Sequence, residues 1–224
     1  MFKNSLLSDK TSPDFILTLL CMTYVVMVVS SIILFNQIVH FDFLTIKIKL
    51  SGAVIPYVFL YPISFIVLRV YGFKYVNYMI GAMILSSLIF VIMSKVVVGL
   101  SSNTTAVHNI LSNSFKMYLA GFIGMPAGIY ASFLTMNFLN KLGLQFNTAS
   151  IAIATVAGEV INTVIVFPIG FHGQFTLHTI FSSIILDALV FKIIMGAVLA
   201  FFTILTINII LNNKLDSTWS FRRD

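Results

Sequence analysis

Charge is what this chain has least of. Only 9% of its 224 residues are charged, 13 basic and 7 acidic, where ordinary globular domains carry about 25%. Its single cysteine, Cys21, lies in an apolar run, so no intrachain disulfide can form and disulfide-stapled scaffolds are excluded. Histidine is scarce and scattered: of the four, only His172 and His178 share a loop, with no carboxylate or cysteine beside them. They read as interfacial polar residues, and no metal-ligand set is expected. The motifs G-x-x-x-x-G-K-[ST], H-E-x-x-H, G-x-S-x-G and C-x-x-C are all missing. ATP hydrolysis by this chain is therefore not expected, nor is a cofactor, and the chain reads as no enzyme.

What is present is apolar surface. Hydrophobic residues make up 59% of the chain and the mean hydropathy is +1.04, against roughly 45 to 50% apolar in soluble domains. Stretches between charges reach the ~20 residues that cross ~30 Å of hydrocarbon. The expectation is an all-α, polytopic membrane protein forming one transmembrane domain over residues 1–224, its main partner the lipid bilayer. The net charge of +6 could suggest nucleic acid, but the basic residues are dispersed and read as topology signals. Lys3 and Lys10 precede the first apolar run as in a signal peptide, yet that run is too long and lacks a small-residue cleavage site, so it should stay in the mature protein.

Six spans are expected: Phe15 to Ile38, Gly52 to Val70, Tyr75 to Val98, Phe115 to Leu139, Ala149 to Phe171, and Ile180 to Leu211. The last exceeds one crossing and should begin with a turn or tilt. With a cytoplasmic N-terminus, the inner side holds Lys3, Lys10, Arg69, Lys74, Lys141, Lys214, Arg222 and Arg223, and the outer side Lys47, Lys49, Lys95 and Lys116. Eight against four places both termini in the cytoplasm. Partial alternation in Val39 to Leu50 points to extended structure, and Ser101 to Asn113, with its Asn103-Thr104-Thr105 sequon, to an exposed loop.

Three ionisable residues fall within spans: Glu159, Asp187 and Lys192. A charge at mid-membrane costs at least about 2.5 to 3.5 kcal/mol and needs a partner or a wet cavity. Asn162 shares a helix face with Glu159, and the ~9 Å axial offset of Lys192 is within reach of a long side chain. Glu159 and Lys192 thus read either as a helix-locking ion pair or as substrate or proton groups. Asp187 reads equally as an entrance residue or as one meeting interfacial water. Two spans look interrupted, the second by Pro56 and Pro62 and the fourth by Gly121, Gly124, Pro126 and Gly128. The Gly124 to Gly128 stretch reads equally as a close helix crossing.

Four features carry a family likeness: Tyr57 to Tyr71 closing on Arg69-Val70-Tyr71-Gly72, Leu139-Asn140-Lys141-Leu142 ending the fourth span, Gly158 to Thr163 in the fifth, and Phe191-Lys192 before a long apolar tail. From the second span onward the chain resembles the vitamin uptake transporter family, small six-span proteins regarded as queuosine precursor transporters. The chain departs from the family pattern where Phe65 and Thr135 stand in place of acids and Asn162 in place of an aspartate; Lys192 is retained. The resemblance implies a multi-pass protein of the bacterial inner membrane that imports a 7-deazaguanine by alternating access. Under it, the substrate-binding residues are Glu159, Asn162 and Lys192 for the guanine-type edge, with Tyr61 and Phe65 as a stacking face. Proton coupling and facilitated uptake are equally compatible, as are a homo-oligomer and coupling subunits. The alternative is the substrate-binding membrane subunit of a multi-component vitamin importer; the first span lacks the A-x-x-x-A docking stripe such subunits use. An intramembrane enzyme using Glu159 and Asp187 as acid and base is disfavoured, since the two lie on different spans without a nucleophile.

Overall fold

The computed structural model of the chain describes residues 15–43, 46–100, 114–144 and 146–220. Among these, five helical segments are long and apolar enough to cross a membrane: Phe15–Leu34, Phe73–Leu100, Ser114–Lys141, Thr148–Gly170 and Leu177–Asn212. The protein is all-α in its core and crosses the membrane several times. A sixth apolar segment, Val54–Val70, is shorter. The Ser101 to Asn113 loop and its sequon lie outside the described residues.

Helix α1 (Phe15–Leu34) leads into a hairpin in which β1 (Ile38–Phe43) pairs antiparallel with β2 (Ile46–Ser51), from Ile38 opposite Ser51 to Phe43 opposite Ile46. The extended structure expected for Val39 to Leu50 is thus a two-stranded ribbon. Ser51 closes its base by donating its hydroxyl to the Phe35 carbonyl at 2.5 Å.

The second apolar segment is broken, as its prolines suggest. Helix α2 (Val54–Tyr57) stops at Val58 and Phe59, and α3 (Leu60–Val70) starts afresh. Pro56 and Pro62 both sit in the first turn of their helices, where a missing N–H costs least. Such a break survives at membrane depth only when enclosed by protein, and Leu60 through Val67 are all buried. Helix α3 is surrounded by α1, by α4 (Phe73–Leu100), and by the helices Thr148–Gly170 and Leu186–Ser220.

Helix α5 (Ser114–Lys141) corrects the expectation of an interrupted fourth span: it continues through Pro126. It ends in a left-handed cap, with Gly143 at φ 83° and Leu144 donating to the Leu139 carbonyl at 3.0 Å. Helix α6 (Thr148–Gly170) begins with a reciprocal cap in which Asn147 accepts from the Ser150 N–H, and the Ser150 hydroxyl accepts from the Asn147 N–H, both at 2.9 Å. The last segment, for which a turn or a tilt is expected, has a helical start. Helix α7 (Leu177–Thr179) passes through a π-helical stretch, Ile180–Ile185, directly into α8 (Leu186–Ser220).

Helices α5 and α6 form the tightest pair, because glycines face each other across it. A Cβ on Gly158 would stand 2.6 Å from the Gly128 carbonyl oxygen and 2.9 Å from the Ser132 Cβ. Substituting Gly158 by Ala should therefore lower the detergent Tm, in line with overpacking costs of about 1 to 3 kcal/mol. Gly81→Ala in α4, where nothing lies within 4 Å, should leave Tm unchanged or raise it slightly. Thermal melts of the two variants check this.

Candidate functional site

Helix α6 presents Glu159, Asn162, Thr163 and Val166 on one buried stripe, the spacing of a single helix face. Opposite, α8 buries Ala188, Lys192, Gly196 and Ala200 at four-residue steps. The small residues flanking Lys192 let the two helices approach: a Cβ on Gly196 would already stand 3.4 Å from the Thr155 methyl. The lysine side chain is thereby held across α6.

The result is a compact polar cluster inside the bundle. Lys192 Nζ lies 2.6 Å from Glu159 Oε2 and donates to Thr163 Oγ1 at 2.9 Å. Glu159, Asn162 and Lys192 are each only 2% exposed, and Thr163 is wholly buried. Two aromatic rings flank the ammonium, Tyr57 with its centroid at 5.3 Å and Phe167 at 5.9 Å. The pairing of Glu159 with Lys192, left open by the sequence, is thus a direct contact. These two contacts account for two of the three lysine donors.

Two acceptors in the cluster are left over. Glu159 Oε1 and Asn162 Oδ1 are buried and have no hydrogen-bond partner among the described residues. Orphaned buried acceptors carry a desolvation cost of about 1 to 3 kcal/mol and call for an explanation. Asn162 and Lys192 also line a small chamber with Phe35, Ala53, Val54, Tyr57, Val166 and Phe167, whereas Glu159 lines neither this chamber nor the larger cavity next to it. A second, larger cavity shares Phe35, Tyr57 and Val166 with it. Both are small, with room for a few waters between them.

The remaining expected site residues line neither cavity, although Tyr61 borders the cluster. The Tyr61 ring packs against Gly158 and its hydroxyl reaches toward Gly128, filling the space side chains there would need. Phe65 meets Phe133 edge-on at 5.6 Å and Phe146 at 6.3 Å, within an aromatic cluster. Tyr61 and Phe65 line neither of the two cavities, so in this conformation both are core residues. Asp187 is half-buried and also lines neither. Among the described residues no group of three or more His, Cys, Asp or Glu is placed to hold a metal ion. Tyr57, Thr163 and Phe167 were not singled out from sequence as site residues. Thr163 carried a signal, standing one turn from Glu159; Tyr57 and Phe167 carried none beyond being aromatic.

A bundle of membrane-crossing helices that keeps an ion pair and two unpaired acceptors away from lipid, with small pockets close by, has the build of a membrane transporter. The family follows from the chain itself: residues 51–206 match the pattern of the vitamin uptake transporter family, and the protein belongs to it. No curated protein and no solved structure matches the chain.

The ion pair makes a sharp energetic prediction. Lys192→Met alone strands a buried carboxylate, and Glu159→Gln alone strands a buried ammonium; each should cost about 3 to 5 kcal/mol. The double variant should lose clearly less than the sum of the two singles. Urea or thermal unfolding of the purified single and double variants measures the coupling.

Proposed function

We propose that this chain imports a small purine-like molecule, a 7-deazaguanine of the queuosine-precursor type, by alternating access. The observation that carries this reading is the pair of orphaned acceptors, Glu159 Oε1 and Asn162 Oδ1, beside a lysine with a donor to spare. A guanine-type edge offers two adjacent N–H donors and one carbonyl. The donors match Glu159 and Asn162 while the carbonyl takes the remaining Lys192 donor, so the ligand satisfies the cluster without breaking the ion pair. Tyr57 and Phe167, which flank the ammonium, are the rings placed to bracket a flat heterocycle.

The small size of both cavities fits a closed conformation between inward-open and outward-open states. Loading requires helices to part, and the broken α2 and α3 segment beside the chamber supplies a joint of the kind transporters use. The positive-inside bias supports six crossings with both termini in the cytoplasm of a bacterial inner membrane.

Bacteria unable to make or import queuosine precursors, expressing this chain and fed a precursor at low concentration, should regain queuosine in tRNA. Glu159→Gln and Asn162→Leu, verified in the membrane by immunoblot, should each cut initial uptake by roughly tenfold or more, the scale expected when a site's polar partner is lost. Full uptake by both variants would exclude the proposed binding cluster.

A further inference from the structure

We infer that the seam between α4 and α5 is a moving interface of the transport cycle, latched at one end by Asn77 and Tyr130 and closed at the other end, in the opposite state, by Ser87 and Tyr118. This rests on the alternating-access reading and not on which ligand is carried. Helix α5 packs far more extensively on α6 than on α4, while α4 packs on α1. The glycine crossing makes α5 and α6 one body, so the α4 side is where parting disturbs least. The seam is uneven along its length. At the end that carries Lys74 and Lys141, Tyr130 donates its hydroxyl to Asn77 Oδ1 at 3.0 Å. There the Phe73 ring also meets the rings of Tyr130 and Phe133, each with centroids 6.0 Å apart. Toward the other end the larger cavity opens between the two helices, with Met83 and Ser87 of α4 and Tyr118 and Gly121 of α5 among its walls. A seam tight at one end and open at the other is what rocking of one body against another produces.

The register of the two helices ties its ends together. They run antiparallel, with Phe73 against Phe133 and Asn77 against Tyr130. Ser87 stands about three turns along α4 from Asn77, and Tyr118 about three turns back along α5 from Tyr130. The two therefore lie at one level of the bundle, on opposite walls of the cavity. Ser87 is only 4% exposed and its hydroxyl has no hydrogen-bond partner among the described residues. Closing the gap brings it the Tyr118 hydroxyl and offsets the bond lost between Asn77 and Tyr130, so each state keeps one polar contact across the seam and gives up the other. Asn77 is about one turn from the start of α4, close to the aqueous interface, where the latch can open without leaving its two groups dry.

The test uses no ligand, so its failure leaves the Lys192 cluster standing. With Cys21, the chain's one cysteine, replaced by Ala, Met79→Cys supplies a single reporter thiol. Met79 is wholly buried on α4, between Asn77 and the cavity residue Met83. In inside-out vesicles carrying the full chain, a membrane-impermeant maleimide should label this thiol slowly. Adding Asn77→Ala, or Tyr130→Phe, which removes only the hydroxyl, should raise the labelling rate by roughly threefold or more, and Tyr118→Phe should lower it by a similar factor. Opposite signs at the two ends separate a latch from a bond that merely holds the bundle together, since general loosening raises the rate in all three variants. No rise with Asn77→Ala and Tyr130→Phe, or a rise with Tyr118→Phe as well, overturns the inference. Tyr130→Phe decides the inner end even if Asn77→Ala fails to reach the membrane.

Discussion

A lysine ammonium and a glutamate carboxylate 2.6 Å apart, both shut away from water and lipid, set the terms for the rest of this molecule. Neither charge could sit in the membrane alone, since each unpaired ion would cost several kcal/mol. Their pairing requires α6 and α8 to lie at close range, and the buried Ala188, Gly196 and Ala200 around Lys192 provide that range. Replacing the pair by apolar residues of similar shape would often be neutral or stabilising. Stability alone is therefore a weak reason to keep it, and the unpaired acceptors beside it give a better one.

The neighbouring packing serves the same cluster. Gly128 and Gly158 bring α5 against α6, and Tyr61 fills the notch between them. This holds the α6 stripe of Glu159, Asn162 and Thr163 in register. Gly124 extends the crossing, and a Cβ there would come within 3.2 Å of Asn162 Oδ1. On the other side, Phe35, Phe167 and Phe171 pack ring against ring, with centroids 4.5 to 5.6 Å apart. Phe35 and Phe167 also wall the chamber. The break in the second apolar segment falls at Val58 and Phe59, next to Tyr57, where protein rather than lipid surrounds it.

Much of this was legible in the sequence, for reasons that differ by residue. Gaps between charges located the long helices to within a few residues, because hydrocarbon tolerates no other arrangement. The rise per residue put Lys192 within reach of Glu159, and an i, i+3 spacing put Asn162 beside it. Pro56 and Pro62 announced a break that the structure contains, whereas Pro126 announced one that it does not. A proline removes one donor whether or not the helix continues, and the glycines around Pro126 read equally as a close helix crossing, which is what α5 makes with α6. Phe65 was read as a stacking ring and is found against Phe133 and Phe146. Aromatic residues at helical spacing look alike in a string of letters; only the tertiary fold separates Phe65 from Tyr57.

Under the proposed function, Glu159 Oε1 and Asn162 Oδ1 each accept one N–H of the ligand. The most direct test is equilibrium binding to the purified chain of 7-deazaguanine and of 7-deazahypoxanthine, the same ring without the exocyclic amino group. Losing that one donor, which leaves one buried acceptor unpaired, should weaken binding by roughly tenfold or more. Equal affinity for the two rings would contradict it.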